Sequence, residues 1–378
     1  MDKVGNYLAN WVMRHRVLSM LLSLMVAFLL AAGAKNLVFT NDYRVFFSGD
    51  DPHLLAFESL QDTYAKNDNV LIVLAPDDGV VFKPTTLNAI ADITERAWQT
   101  PYSIRVDSLS NYQHTEAVGD DLIVGDLYEE ADSLDAEGLQ RIQDIALNEP
   151  LLVHRLISED ARITAINITV ELPGKDLTRE NPEVVEHVRE LRQYIRDTYP
   201  DLTPYLSGIV MMNQAFPEAT QWDMTHLIPA ALGVILLLVY LQLRGLGGTF
   251  GTLITILLSI ISAMGTAGWL GIQLTPPSMS APTIILTLAV ADCVHILANW
   301  MHGVRQGQSR REAMRESIRI NFSPVFLTSL TTAFGFLSLN FSDAPPFHDL
   351  GNIAAMGVMY AWFYAIFFLP ALVSMLPV

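Results

Sequence analysis

Long apolar runs and polar stretches alternate along this chain. Crossing a hydrocarbon core about 30 Å thick takes a helix of about 20 mainly apolar residues, and six runs meet or nearly meet that length. These runs are Val17–Gly33, Leu227–Leu243, Thr252–Leu270, Pro282–Trp300, Val325–Phe341 and Ile353–Met375. One such run is compatible with a buried helix of a large soluble protein, but six together favour membrane spans. The pattern predicts a membrane bundle of six transmembrane helices.

A polar block separates the first apolar run from the second, and its periodicity switches between that of strands and that of helices. The predicted strands are Val70–Leu74, Ser103–Val106, Arg162–Leu172 and Tyr205–Met212. The predicted helices are Pro84–Trp98, Leu134–Leu147 with Ser133 as its cap, and Pro182–Tyr199. If the Leu134–Leu147 helix is an insertion, the order is β-α-β-β-α-β, which is the ferredoxin-like arrangement. We therefore expect three regions: residues 1–33 with the first span, an α+β domain at 34–226, and spans two to six at 227–378.

Charge follows the same division. The 378-residue chain is 51% hydrophobic and only 17% charged, against about 25% charged residues in soluble domains. Residues 34–226 hold 14 basic and 34 acidic side chains, whereas the rest of the chain holds 9 basic and 6 acidic ones. An acidic, water-soluble domain is thus inserted into a hydrophobic one. The net charge of −17 has the wrong sign for gripping nucleic acid.

Motifs for catalysis are missing from the sequence. It contains no Gly-rich phosphate loop, HExxH or GxSxG motif. Its one cysteine, Cys293, rules out an intrachain disulfide and a multi-cysteine metal site. We expect no enzyme activity, no metal and no cofactor.

Orientation follows from the basic residues in the short connections. The links after spans three and five, Gly271–Ala281 and Ser342–Asp349, have no Lys or Arg. Basic residues occur before span one, after span two and between spans four and five, at Lys3, Arg14, Arg16, Arg244, Arg305, Arg310, Arg311, Arg315 and Arg319. This distribution predicts that both termini face the cytoplasm and that residues 34–226 lie outside.

Two segments allow a second interpretation. The first apolar run, followed by Ala31, Ala32, Gly33 and Ala34, also fits a cleaved signal peptide. The arginine-rich segment Met301–Phe322 carries interspersed apolar residues, which fits either an amphipathic helix on the cytoplasmic surface or an ordinary loop.

Span four carries a charge at its centre. Asp292 lies midway along an otherwise apolar run, where a carboxylate costs at least about 2.5–3.5 kcal/mol. Asp292, His295 and Asn299 follow the i, i+3, i+7 spacing that places side chains on one helical face. The next span adds hydroxyls at comparable depth, namely Thr328, Ser329, Thr331 and Thr332. One interpretation is structural, with Asp292 protonated or held by a hydroxyl simply to join helices.

The other interpretation is functional. An apolar medium favours the neutral form of a carboxyl group, so Asp292 is predicted to bind and release a proton as access alternates between the two sides. A histidine changes charge near neutral pH, and His295 is expected to share or relay that proton. The predicted relay comprises Asp292, His295, Asn299, Thr328 and Thr332, driven by the proton gradient.

Four segments resemble the resistance–nodulation–division (RND) superfamily, and within it the MMPL-type exporters, relatives of Patched and sterol-sensing-domain proteins. They are the stretch from Asn41 to Phe47 with Asp51-Pro52 and Ala56-Phe57-Glu58, Asn67–Val70, Ala289–Leu297, and Pro324–Leu339, which is the most specific match. The resemblance implies an N-terminal half of such a protein, located in the bacterial inner membrane. It also implies that residues 34–226 form a periplasmic porter domain and that Asp292 is the proton-carrying aspartate.

The chain departs from the family pattern in two ways. Family members usually have two halves with about twelve spans, so this chain is expected to be either a fragment or a half unit that pairs with a second copy. Many members also carry glycines where Ala289 and Ala291 stand here.

The leading hypothesis is a proton-driven exporter half that moves lipids or other hydrophobic molecules. Its alternative is a non-transporting membrane sensor or scaffold that binds lipid or sterol, and a lipid-modifying enzyme is a weaker third interpretation. An apolar cargo path is predicted to be lined by Phe46, Phe47, Phe57, Met211, Met212 and Phe216.

Overall fold

The computed structural model describes residues 2–40, 42–64, 68–118, 121–174 and 177–376. Its α-helices are α1 Asp2–Arg14, α2 Arg16–Ala31, α3 Pro52–Thr63, α4 Pro84–Ala97, α5 Ala136–Asn148, α6 Leu177–Thr198, α7 Ile209–Trp222, α8 Ile228–Leu243, α9 Leu246–Trp269, α10 Ala281–Arg305, α11 Arg310–Leu337, α12 Pro345–Phe367 and α13 Leu369–Val373. Its strands are β1 Asp68–Pro76, β2 Ser103–Asp107, β3 Gln113–Val118, β4 Asp121–Asp126, β5 Thr164–Val170 and β6 Leu202–Ser207.

The chain divides into two compact units. One, the α/β unit, is Leu55–Phe216, and the other, the helical unit, combines Met1–Leu54 with Pro217–Val378.

A four-stranded antiparallel sheet organises the α/β unit. Its strand order is β2-β5-β1-β6. The chain forms two strand–helix–strand motifs, β1-α4-β2 and β5-α6-β6, and the order interleaves them: β5 lies between β2 and β1, and β1 lies between β5 and β6. Val70, Ile72 and Leu74 alternate along β1 as fully buried residues, and Ile166 and Ile168 of β5 are buried as well. This alternation is typical of a sheet that has one face on an apolar core.

Helix α4 shows how its sequence specifies its position. Leu87, Ile90, Ile93 and Ala97 recur at helical spacing, and all four are completely buried in the core of the α/β unit. Pro84 occupies the first turn, where its missing N–H leaves no helical hydrogen bond unmade. The helix forms because one face is uniformly apolar and its start is compatible with proline.

The last predicted strand is too long. The chain is extended only to Ser207, and the residues from Ile209 onward form α7. Gly208 separates the two elements with a φ of +108°, and a Cβ there would lie 2.5 Å from the Asn69 carbonyl oxygen. Only glycine combines that backbone angle with such close contact, and this turn sends the chain from strand into helix.

Two further details differ from the sequence-based expectations. The cap of α5 is Asp135, whose side chain accepts a hydrogen bond from the Gly138 backbone N–H, and not Ser133. Strands β3 and β4 form a separate two-stranded hairpin that was not predicted. Every residue of β4 is at least partly exposed, so its pattern lacks the in–out alternation that signals a strand packed on a core.

Tyr128 is buried in the α/β unit, and its hydroxyl donates a hydrogen bond of 2.9 Å to the Leu87 carbonyl oxygen. Burial raises the pKa of Tyr128 above its ordinary value. The folded state therefore favours the neutral phenol, and this stabilisation is complete below the unfolded pKa of about 10 and is lost as pH rises above it.

We expect the wild-type chain to lose roughly 1.4 kcal/mol more stability between pH 8 and pH 11 than the Tyr128→Phe variant. Denaturant unfolding of both proteins at the two pH values measures this difference. Tyr205→Phe, at an exposed position, is the control and should track the wild type. Equal alkaline losses in the wild type and Tyr128→Phe would contradict the assignment.

The six predicted spans are confirmed as helical segments long and apolar enough to cross a membrane. Among the described residues these segments are Arg16–Asn36, Ile209–Leu243, Leu246–Trp269, Ser278–Arg305, Arg310–Phe341 and Pro345–Val373. Their length and their apolar composition are what make these segments suitable as membrane spans.

Helices α9, α10 and α12 pack on one another, α11 packs on α10 and α12, and α2 lies against α9. Two glycines let α2 and α9 approach closely. A Cβ added at Gly33, just beyond α2, or at Gly265 of α9 would clash with backbone atoms of the opposite segment. Helix α8 is different, since only Val239 and Leu243 are buried along it.

The arginine-rich segment between spans four and five was expected to be either a surface helix or a loop, and it is neither. Helix α10 continues to Arg305, and α11 begins at Arg310 and runs unbroken into the fifth span. Ser309 caps α11 by accepting a hydrogen bond from the Glu312 N–H, while its hydroxyl donates to the Glu312 carboxylate. Met314 and Ile318 are completely buried, so the first turns of α11 belong to the bundle.

Candidate functional site

Asp292 is buried between two membrane spans. It lies near the middle of α10, and only 6% of its surface is exposed. Its Oδ2 accepts a hydrogen bond of 3.2 Å from the Ser329 hydroxyl of α11. Among the described residues, no Lys, Arg or His forms an ion pair with this carboxyl group. A buried carboxylate without a counter-charge is costly, and proton binding removes that cost.

A second polar contact joins the same helices nearer the arginine-bearing end. The Asn299 side-chain amide donates to the Asn321 side-chain oxygen at 3.0 Å. Asn321 in turn donates to the Ser317 carbonyl oxygen at 2.8 Å, and the Ser317 hydroxyl donates to the Ile296 carbonyl oxygen at 2.6 Å. The two contacts are seven residues apart along α10, which corresponds to about 10 Å. The interface of α10 and α11 therefore carries polar groups at two depths.

Hydroxyls of α9 make further contacts with α10 and α12. The Cys293 thiol, next to Asp292 in sequence, lies against the hydroxyls of Thr252 and Thr255 on α9. Further along α9, Ser262 shares a hydrogen bond of 2.7 Å with the Tyr364 hydroxyl, and Thr266 shares one of 2.9 Å with the Tyr360 hydroxyl. These contacts tie α9 to α10 and α12 within the bundle.

The structure places the five predicted relay residues in different surroundings. Asp292 is buried against Ser329, and Asn299 is exposed but bonded to Asn321. His295 and Thr328 are exposed on this chain, and Thr332 is half-buried. Three residues of helix separate the directions of Asp292 and His295 by about 60°, which is enough to place one inside the bundle and the other outside. Their roles in proton transfer stay predictions.

The predicted cargo-path residues belong to both units. Phe57, Met211, Met212 and Phe216 lie in the α/β unit, where Met211 packs against the core and the other three are exposed. In the helical unit, Phe47 is exposed and Phe46 is half-buried. Whether they line a path stays a prediction.

A cavity of about 410 Å³ opens within the α/β unit, and none of the six predicted path residues lines it. Its polar lining comes from β1, β5, β2 and two loops, and includes Asn69, Asn167, Arg105 and Arg155. Arg105 pairs with Asp107, with 2.7 Å between Nε and Oδ1. Because the lining comes from separate segments of the chain, no local sequence pattern marks this cavity.

Ser317 and Asn321 were missed in the sequence. Ser317 and Asn321 are four residues apart and Ser329 lies eight residues further on, so the three occupy one i±4n row, a stripe that winds gradually around α11. That stripe contains one hydroxyl, one amide and a second hydroxyl, and it faces α10. The spacing was available in the sequence, but the rotation of α11 relative to α10 was not.

Ser329→Ala tests the contact to Asp292. We expect a loss of about 0.6–1.7 kcal/mol in stability, the range measured for hydrogen bonds between membrane helices. Ser338→Ala is the matched control, because the Ser338 hydroxyl is exposed and donates to the Gly335 carbonyl oxygen of its own chain segment. Thermal unfolding in detergent measures both. Equal melting temperatures for the two variants would show that the Asp292–Ser329 contact adds nothing to stability.

The sequence profile of the MMPL family matches residues 103–377, nearly three quarters of the chain and all of the α10–α11 site. The chain belongs to the MMPL family. This confirms the family resemblance recognised in the sequence. Among the residues that the structure describes, the six apolar helical segments make this MMPL chain a multi-pass membrane protein.

A membrane protein of Methanocaldococcus jannaschii is 23% identical to the MMPL chain over 221 residues. The alignment covers 58% of this chain and 56% of that relative, so the chain spans a little over half the relative's length. In the described part of the MMPL chain, no three His, Cys, Asp or Glu side chains are grouped as metal ligands.

Proposed function

We propose that this chain is a half unit of a proton-driven exporter that moves lipids or other hydrophobic molecules out of the inner membrane. The observation that carries the proposal is Asp292, a buried carboxyl group at mid-span with one hydroxyl partner and no ion pair among the described residues. A carboxyl group in such a place is stable only if it is neutral or if water and donors reach it. Proton binding and release there would bias a conformational equilibrium.

The contact between α10 and α11 is the element that this proton would bias. With Asp292 ionised, the Ser329 hydroxyl and entering water would stabilise the charge. With Asp292 neutral, the carboxyl group no longer needs that stabilisation, and α10 and α11 are free to adopt a second arrangement. Asn299 and Asn321 join the same two helices two turns away, so a movement of α10 against α11 at Asp292 would also displace this second contact. A proton moving down 100 mV and one pH unit releases about 3.7 kcal/mol, a factor of roughly 500 in such an equilibrium.

The α/β unit would be the porter domain on the outer side of the membrane. Support for a ferredoxin-like domain comes from its two interleaved strand–helix–strand units. The basic residues in the links expected to face the cytoplasm support an outer position for this domain and cytoplasmic termini. The 410 Å³ cavity is large enough for a small polar headgroup or part of a larger cargo.

A second six-helix half, either another copy of this chain or a separate chain, would complete the unit. His295, Thr328 and Ala291 are exposed on this chain at the depth of Asp292. A polar side chain in a span normally faces protein or a water-filled cavity, so a partner helix there would remove it from lipid.

The proposal is tested by transport in proteoliposomes made from the total lipid of the membranes in which the protein occurs. Imposing a pH gradient should drive release of a lipid class to an external acceptor together with proton entry, and dissipating the gradient should stop both. Binding of lipid with neither release nor proton entry would instead support the lipid-binding sensor and overturn the exporter.

A further inference from the structure

Helix α1 has three distinct faces. Gly5, Ala9, Val12 and Met13 are buried against the bundle, and a Cβ on Gly5 would lie 3.3 Å from the Phe322 Cβ of α11. Lys3, Asn6, Asn10 and Arg14 form an exposed polar face. Between them lies a third face, made of Val4, Tyr7, Leu8 and Trp11.

The third face is apolar, and only part of it packs on the protein. Val4, Tyr7, Leu8 and Trp11 follow the i, i+3, i+4, i+7 spacing of an amphipathic helix. Val4 is 53% exposed and Tyr7 is 69% exposed, while Leu8 and Trp11 are half-buried and pack against the core of the helical unit. An apolar stripe that is only partly covered by this chain indicates a second apolar surrounding that is not part of it.

Contacts fix where α1 lies in the helical unit. The Arg311 guanidinium donates to the Met13 carbonyl oxygen at 3.0 Å and so caps the end of α1. One residue, His15, separates α1 from α2, and Arg16 at the start of α2 donates to the Ser374 carbonyl oxygen just beyond the last helix. Helix α1 therefore lies at the end of the bundle where the first span begins and the last span finishes.

We propose that α1 lies in the headgroup layer of a phospholipid bilayer, with Val4, Tyr7, Leu8 and Trp11 directed toward the acyl chains. Tyrosine and tryptophan are enriched at this depth because their rings are apolar and their tips are polar. Lys3 and Arg14 flank the apolar stripe, where long basic side chains reach lipid phosphates. The stripe also continues into the exposed Val17, Leu18 and Leu21 of the first span.

A phospholipid bilayer fits the third face of α1 better than a second copy of the chain does. The uncovered stripe is narrow, joins a membrane-spanning surface directly and carries basic residues on one border, which matches an anionic bilayer surface. The proposal does not depend on the proposed export or on the proton cycle. It assigns to α1 the role of holding the first turns of α11 at the bilayer surface.

Site-directed spin labelling of the full-length chain tests the proposal. The background variant is Cys293→Ser, because Cys293 is the one native cysteine and is buried. Labels are placed at Tyr7→Cys on the apolar stripe and, as matched control, at Asn10→Cys on the polar face. Both proteins are reconstituted in liposomes of phosphatidylethanolamine and phosphatidylglycerol, and collision rates with oxygen and with a water-soluble nickel chelate are measured.

We expect the label at position 7 to collide more often with oxygen than with the chelate, and the label at position 10 to show the reverse. Val4→Cys with Asn6→Cys gives a second pair if position 7 is not tolerated. Equal chelate collision at both positions of a pair would place the helix in water and overturn the proposal. Protection of the stripe label from both reagents would also overturn it, in favour of a protein partner.

Discussion

Asp292→Asn is expected to abolish proton-coupled transport while leaving a folded, membrane-inserted protein. The amide keeps the size of the side chain and still accepts a hydrogen bond from Ser329, but it cannot carry a proton. Each proton removed from the cycle takes away about 3.7 kcal/mol of driving force at 100 mV and one pH unit, so cargo release should fall by a factor of up to roughly 500. Gradient-driven lipid release and internal pH in proteoliposomes measure the effect.

Asp349→Asn provides the control for that experiment. Asp349 is a half-buried carboxyl-bearing residue near the start of α12, and it has no proposed part in proton transfer. Both variants should elute and unfold like the wild type. Wild-type rates in Asp292→Asn, or equal losses in both variants, would remove Asp292 from its proposed role.

Gly265→Ala is expected to have the largest effect on stability. A Cβ at Gly265 would lie 2.1 Å from the Leu30 carbonyl oxygen and 2.8 Å from the Ala31 Cα. Because these are backbone atoms of the first span, no side-chain rotation relieves the clash, and α2 and α9 must move apart. Overpacking of this kind costs about 1–3 kcal/mol, and at about 2–4 °C per kcal/mol the melting temperature should fall by roughly 2–12 °C.

Gly335→Ala is the matched control on α11, because a Cβ there meets nothing within 4 Å. Its melting temperature should equal that of the wild type or exceed it slightly, since alanine favours helix more than glycine does. Thermal unfolding of the detergent-solubilised proteins gives both values. If Gly265→Ala unfolds at the wild-type temperature, the close contact of α2 and α9 does not exist in the protein.

The spans were predictable because they depend on run length, a property that each segment carries by itself. Helix α4 was predictable for a similar reason, since its apolar residues repeat at helical spacing. The end of the strand predicted at Tyr205–Met212 was wrong because that boundary depends on Gly208 approaching Asn69, a contact between distant parts of the chain. The β3–β4 hairpin was missed because no core face imposes alternation on it.

The candidate site was likewise only partly predictable from the sequence. The position of Asp292 at mid-span follows from counting residues along an apolar run. Its partner does not, because Thr328, Ser329, Thr331 and Thr332 have similar depth and only the rotation of α11 selects Ser329. The same rotation brings Asn321 to Asn299, and the rotation of α10 leaves His295 exposed. Such rotations come from the packing of whole helices rather than from the residues of the site.

The most direct test of the central claim is the chemical labelling of Asp292 in membranes across a range of pH. Dicyclohexylcarbodiimide modifies carboxyl groups that carry a proton and lie in apolar surroundings, and mass spectrometry of the digested protein locates the adduct. We expect an adduct on Asp292 whose yield decreases progressively as the pH is raised, because the group releases its proton. An adduct whose yield does not change with pH, or no adduct on Asp292 at any pH, would contradict the claim that this residue exchanges a proton.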